Sequence, residues 1–233
     1  MPDLLLILLW TLITLGVASF ATYLGKHYGE AFPIGIMGTL VVIAAILANK
    51  LVVIGGYVVP AGVLLASSTF LVTDILSELW GKETAQKAVW VGFYGLIVLT
   101  LSLWITNLWE APVFAQDRAE KFGEVLGMTP RIIFASMAAY LVSQTHDVWS
   151  YHLWKSFFND RHLWFRNNAS TIVSQLIDTV IFISVAFYGV LPIGQMIIDM
   201  WLIKVCIAIL DTPFIYIVSR LAQKSYRSAL VPP

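Results

Sequence analysis

Residues 4–25, 31–49, 51–73 and 88–109 contain no Asp, Glu, Lys or Arg. Each run has about the 20 residues that cross roughly 30 Å of hydrocarbon as a helix. None alternates apolar with polar positions, which argues against transmembrane strands. Three later stretches, 131–154, 169–190 and 195–219, are as long but carry ionisable residues. Composition supports the same reading. Apolar residues are 59% of the chain and charged residues 12%, against about 45–50% and 25% in soluble proteins. Too few charges are present to cover a water-soluble surface, and the apolar excess excludes intrinsic disorder. The spacing predicts an all-α polytopic membrane protein with seven helices, at about 4–24, 31–49, 53–78, 86–109, 131–154, 169–190 and 195–219.

Several function classes drop out. Fourteen basic residues balance fourteen acidic ones, so no surplus exists to bind nucleic acid by counterion release. Cys206 is the sole cysteine, which excludes a disulfide framework and a Cys-based zinc site. No phosphate-binding G-x-x-x-x-G-K-[ST] occurs, nor H-E-x-x-H, nor G-x-S-x-G, so neither ATP hydrolysis nor a protease or lipase is indicated. The expectation is a non-enzyme with no catalytic residues, no cofactor and no metal site. Met1-Pro2-Asp3 lacks a positive charge and the first apolar run exceeds a signal-peptide core, so the first helix is read as retained.

With seven spans the termini lie on opposite sides. One side collects Lys26, Lys82, Lys87, Lys155, Arg161, Arg166, Arg220, Lys224 and Arg227; the other has Lys50, Arg118, Lys121 and Arg131. The positive-inside rule then puts the C-terminus in the cytoplasm and the N-terminus outside. Segment 110–130 is expected to form a short amphipathic helix on the outer surface, with Phe114, Phe122, Val125 and Leu126 on its apolar side. Segment 155–168 reads as a basic, aromatic cytoplasmic connection. The tryptophans at 10, 80, 104, 109, 154, 164 and 201 read as an interfacial belt.

Ionisable residues inside apolar runs mark pathways or sites, because each costs about 2.5–3.5 kcal/mol to insert. They are Asp74, Glu78, Asp147, Asp178, Asp199, Asp211 and one cation, Lys204. A pentad repeats: Ser143-Gln144-Thr145-His146-Asp147 and Ser174-Gln175-Leu176-Ile177-Asp178. In each, Gln and Asp are three residues apart and share a helix face. On consecutive antiparallel helices such a direct repeat becomes an inverted pair, as in transporters with a site between inverted halves. A carboxylate and an amide together match the edge of a guanine-like base. Nine tryptophans and 22 other aromatics are available for stacking, at about 1–3 kcal/mol per base. The plainer alternative is that these groups bond one another between helices.

Asp74 and Glu78 form a second pair on one face, read either as functional or as interfacial and paired with Lys82. Asn49 reads either as a site residue or as a helix cap. Asn168 or Ser170 reads as an N-cap of the sixth helix. Lys204 is placed to neutralise Asp178 or Asp147, or to snorkel outward. Pro213 is expected to kink the helix beside Asp211, and His146 is a candidate proton relay beside Asp147.

The elements Thr73-Asp74…Glu78…Trp80-Gly81, Ser143-Gln144…Asp147, Ala169-Ser170-Thr171, Asp178-Thr179 and Asp211-Thr212-Pro213-Phe214, with Lys204, resemble the queuosine precursor transporter family, also called the putative vitamin uptake transporter family. The resemblance covers about residues 34–220. It implies a six-helix transporter core, here residues 31–220, with one extra N-terminal transmembrane helix in residues 1–30 and a cytoplasmic tail at 221–233. It implies import of 7-deazaguanine precursors of modified tRNA bases, the 7-cyano or 7-aminomethyl compounds, by a secondary transporter in the cell membrane. The expected substrate-binding set is Gln144, Asp147, Gln175, Asp178, Asn49, Asp74, Glu78 and Lys204. Partners are the lipid bilayer and a nucleobase-like small molecule, with a homo-oligomer allowed. The rival readings are a substrate-binding subunit of an ATP-driven vitamin importer, docking through Ala44 and Ala48, and a membrane enzyme or purely structural bundle.

Overall fold

A computed structural model describes residues 2–127, 130–189 and 193–230. Residues 1, 128, 129, 190–192 and 231–233 lie outside it, as do the side chains beyond Arg220, including Lys224 and Arg227. Among the described residues eight α-helices and one hairpin follow in order: α1 (Pro2–Tyr28), α2 (Ala31–Leu47), β1 (Leu51–Ile54), β2 (Tyr57–Pro60), α3 (Val63–Leu79), α4 (Lys82–Leu108), α5 (Gln116–Leu126), α6 (Pro130–Phe157), α7 (Leu163–Phe187) and α8 (Ile193–Leu230). By length and composition α4, α7 and residues 193–220 of α8 can each cross a membrane, and the bent pair 113–126 with 131–157 makes a fourth candidate. The chain is a helical, multi-pass membrane protein.

The helices meet the sequence expectation closely except at three places. Residues 53–60 are not the start of the third helix. Leu51–Ile54 pairs antiparallel with Tyr57–Pro60, with Val52 opposite Val59. Gly55 and Gly56 both have positive φ, 60° and 91°. A two-residue glycine turn of that kind matches the twist of a β-hairpin, and β-branched residues flank it. Ala61 N–H donates to the Lys50 carbonyl at 2.7 Å and closes the base of the hairpin. Val59 tucks into an apolar cluster with Val63, Leu64, Ile203 and Ile207, which holds the hairpin to α3 and α8.

The second difference lies between α6 and α7. The connection is only residues 158–162, and α7 starts six residues earlier than expected. Arg166 therefore lies within the helix and is 1% exposed, not in a cytoplasmic loop. Asn168 and Ser170 are not N-caps; Asn168 donates to Trp164 O and to Thr212, and Ser170 to Arg166 O. Asn159, Asp160 and His162 all adopt left-handed φ, which lets a five-residue link turn the chain. The third difference is at the end: α8 runs through Pro213 to Leu230, so residues 221–230 are helical where a tail was expected.

Segment 110–130 does contain the expected short helix, α5, preceded by a 3-10 turn at Val113–Ala115. Phe114 is 91% exposed and Val125 is exposed as well, so its apolar side faces outward. Trp10, Trp104, Trp109 and Trp164 are exposed as a belt requires. Trp80 instead packs on the main apolar cluster, Trp201 donates to Ile172 O, and Trp154 lies among Phe157, Phe158 and Phe165.

Close backbone approach fixes two crossings. Gly62 at the head of α3 sits against the Ala44 carbonyl and the Ala48 nitrogen, where a Cβ would collide. Ala44 is buried in that contact, so it serves internal packing and not the docking of another subunit. On α4, Gly92 faces Tyr140 and Val41. The Tyr140 hydroxyl donates to Val89 O at 3.1 Å and is held in place. Gly92→Ala is expected to lower stability by about 1–3 kcal/mol through overpacking, read as a fall in unfolding temperature in detergent. A variant as stable as wild type would show that α4 and α6 are not this tightly apposed.

Candidate functional site

Four helices share a polar interior. α3, α6 and α8 run in one direction and α7 runs back between them, as the successive contacts show: Thr69 with Gln144, Glu78 with Tyr151, Asp74 with Thr171, and Ser143 with Asp178. On α7 the residues Asn167, Thr171, Ser174, Gln175 and Asp178 recur every three or four positions and form one polar stripe. Apolar clusters flank it on both sides.

The site divides into three levels along the bundle axis. At the hairpin end lies a cavity of about 130 Å³. Its wall is largely apolar, from residues such as Ala45, Phe70, Phe182 and Met200, and Gln144, Asp178 and Lys204 supply polar groups. Lys204 Nζ donates to Asp178 Oδ2 at 2.5 Å and to Thr179 Oγ1 at 3.0 Å. The expected neutralisation of Asp178 by Lys204 is therefore present. Gln144 Nε2 donates to Thr69 Oγ1 at 2.7 Å, and Gln144 Oε1 accepts from Thr73 at 3.3 Å. Both ends of the amide are thus oriented by α3. A mostly apolar cavity with a few fixed polar groups is the usual form of a small-molecule site. An ammonium, a carboxylate and an amide thus border one cavity.

One level deeper the polar side chains are shut off from the surface. Asp147 and Gln175 are fully buried and Asp74 is 1% exposed. Thr73 Oγ1 also lies 3.3 Å from Asp147 Oδ2, Thr171 donates to Asp74 Oδ2 at 3.1 Å, and Asn167 donates to Asp211 at 2.9 Å. Thr73, the residue before Asp74 on α3, brings the Asp147 carboxyl close to that of Asp74. The two pentads cross over: Ser143 donates to Asp178 at 3.3 Å, and Ser174 lies beside Asp147. His146 Nδ1 meets Ser174 Oγ at 2.9 Å, and Ser174 itself donates to Ser170 O at 2.8 Å.

The third level closes the end opposite the cavity. Glu78 accepts from Tyr151 at 2.9 Å, from Lys155 at 3.2 Å and from Arg166 at 3.2 Å. Asp160, in the short link after α6, lies 3.5 Å from Arg166 and 3.6 Å from Lys155. The guanidinium carbon sits 5.4 Å from the centre of the Tyr151 ring. Glu78 is thus paired with Arg166 and Lys155 and not with Lys82.

Of the eight expected site residues, three line the cavity: Gln144, Asp178 and Lys204. Asp74, Asp147 and Gln175 lie beneath it, and Glu78 belongs to the closing cluster. Asn49 lies apart: its amide donates to Ala45 O and Ile46 O at the end of α2, which is a helix-capping arrangement. Thr69, Thr73, Thr171, Tyr151 and Arg166 were not anticipated. Thr69 and Thr73 are one turn apart on the face of Asp74's helix, a spacing visible in the sequence.

A helical membrane bundle with a small polar-floored cavity and buried ionic groups defines a transporter of small molecules. The chain belongs to the putative vitamin uptake transporter family, whose model matches residues 60–218. It is 35% identical over 208 residues to a probable queuosine precursor transporter of Bacillus subtilis (strain 168), covering 88% of this chain and 90% of that protein. A second probable queuosine precursor transporter, from Haemophilus influenzae, is 25% identical over 122 residues, 51% of this chain and 48% of its own. No solved structure matches the chain. The family comprises transporters and not enzymes, in keeping with the expectation from the motifs.

Proposed function

We propose that the protein imports 7-deazaguanine precursors of modified tRNA bases across the cell membrane, as a secondary transporter with six core helices and α1 as an additional span. The observation that carries this reading is the cavity floor of Gln144, Asp178 and Lys204. A guanine-like edge has adjacent N–H donors and a carbonyl acceptor. Asp178 accepts from the donors, and Gln144 or Lys204 donates to the carbonyl. The relatives' description as queuosine precursor transporters points to the same substrate class.

The orientation keeps its basis although Arg166 leaves the count, because eight positive charges still face four. With the C-terminus cytoplasmic, the hairpin end and its cavity face outward. The Glu78–Arg166 cluster then closes the cytoplasmic end. An importer waiting for substrate has this arrangement, open outward and sealed inward.

The test is binding of radiolabelled 7-cyano-7-deazaguanine to purified protein, with guanine and biotin as competitors. Saturable binding displaced by guanine-like bases and not by biotin is expected. Gln144→Ala should weaken it about tenfold, the value of one hydrogen bond in a desolvated site. Displacement by biotin alone would transfer the site to a vitamin.

A further inference from the structure

Away from the polar interior, α4 and α6 touch at one point and then part. They meet at Gly92, where an added Cβ would collide with the Tyr140 hydroxyl, and that hydroxyl is fixed by its bond to Val89 O at 3.1 Å. One turn nearer the hairpin end, Leu96 and Ser136 already border a second cavity, of about 490 Å³ against about 130 Å³ for the first. Its wall on α4 runs from Leu96 to Asn107 and on α6 from Ile133 to Met137. Leu126 of α5 closes its far end, where α5 packs on Asn107 at Gly123.

The two cavities adjoin, because Ala45, Leu96 and Ser136 line both. Their chemistry differs. The first has an ammonium, a carboxylate and an amide on its wall. Among the described residues the lining of the second carries no charge, and its hydroxyl and amide side chains are those of Thr100, Asn107 and Ser136. Ordered water needs about 2–4 polar partners, and a guanine-like edge needs donors and acceptors in one plane. These three side chains are spread along the length of the cleft and provide neither. A wall of leucine, isoleucine and methionine gains dispersion contacts from hydrocarbon packed against it.

The cleft opens sideways. Leu101, Trp104 and Phe134 line it and are also exposed on the outside of the bundle. In a multi-pass membrane protein that outside is bathed in lipid hydrocarbon, so the lining of the cleft continues the lipid-facing surface. α4 is long and apolar enough to cross the membrane. Its stretch from Leu96 to Asn107 rises about 16 Å, close to one leaflet of a hydrocarbon core roughly 30 Å thick. Trp104 and Trp109, both exposed, stand at the headgroup end of that stretch.

We propose that the cleft between α4 and α6 is a binding site for one phospholipid acyl chain from the leaflet at the hairpin end. The tail enters past Leu101, Trp104 and Phe134, lies along Leu99 and Leu103, and ends against Leu96. There it backs the partition that Ala45, Leu96 and Ser136 form beside the smaller cavity, and keeps the polar groups of that cavity apart from the bilayer. The site does not depend on which small molecule the protein carries.

The experiment uses the full chain in phosphatidylcholine vesicles doped with phosphatidylcholine that bears a diazirine midway along one tail. Illumination and peptide mapping then give the labelling of each helix. Labelling of residues 96–103 and 133–137 is expected to be several-fold above that of Ile209, Leu210 and Ile217, which are exposed on α8. Labelling no higher than on α8 would overturn the site. Leu99→Trp fills the cleft and should bring its labelling down to the α8 level while α8 itself is unchanged. Undiminished labelling of that variant would put the tail on the outside of the helices and overturn the site as well. Should Leu99→Trp fail to insert, the wild-type labelling decides together with a thiol readout. Leu103→Cys in a Cys206→Ser background should stay unreactive toward a charged, water-soluble maleimide. Rapid modification would make the cleft a water-filled vestibule and remove the lipid.

Discussion

Arg166→Met is expected to destabilise the protein by about 3–5 kcal/mol, because it leaves the Glu78 carboxylate among buried groups without its main partner. Glu78 is held by Tyr151, Lys155 and Arg166, but only the guanidinium is 1% exposed and fully surrounded. Lys155 is a quarter exposed and also reaches Asp160. Unfolding temperature in detergent measures the effect. A second variant separates the loss of the pair from the loss of packing: Glu78→Leu combined with Arg166→Met removes both charges and should recover at least half of the stability. The double variant should also transport poorly, because the ionic closure of the end opposite the cavity is gone. Equal stability of wild type and Arg166→Met would show that the cluster is hydrated and carries no structural load.

Asp178→Asn should weaken base binding about 100-fold or more. The substitution turns one acceptor oxygen into an amine and sets donor against donor at the base edge, a mismatch that a buried polar site rejects strongly. It also leaves Lys204 with only Thr179, so a drop in stability is expected alongside. The double variant Asp178→Asn, Lys204→Gln removes the charge imbalance. It should elute and unfold like wild type yet still fail to bind, measured by displacement of radiolabelled base. Normal binding by the double variant would remove Asp178 from the recognition edge.

The long helices were legible in the sequence because a bilayer imposes one length and one polarity on each run. The polar interior was legible in part for the same reason: Asp74, Asp147, Asp178 and Lys204 stand out where charge is costly. The hairpin at 51–60 was missed because its Val, Ile and Tyr are as apolar as a span, and hydropathy does not separate the two. Gly55-Gly56 between β-branched runs was the available signal. Arg166 was misread because a charge near a predicted helix end looks like a loop residue. Only the three-dimensional meeting of α3, α6 and α7 reveals that Glu78 and Asp160 compensate it. Nor did the sequence show which of the polar residues line the cavity and which lie beneath it, since that depends on the rotation of each helix.

The crossed serines tie the two pentads together but leave them unequal. Ser143 serves the aspartate of α7 and Ser174 stands by the aspartate of α6, so the two pentads are near mirror roles exchanged across one contact. What breaks the equivalence is the neighbour of each aspartate: an ammonium for Asp178 and another carboxyl for Asp147. The same substitution at the two aspartates therefore has unequal effects: at Asp178 it strips a buried ammonium of its carboxylate, and at Asp147 it takes an acceptor from Thr73.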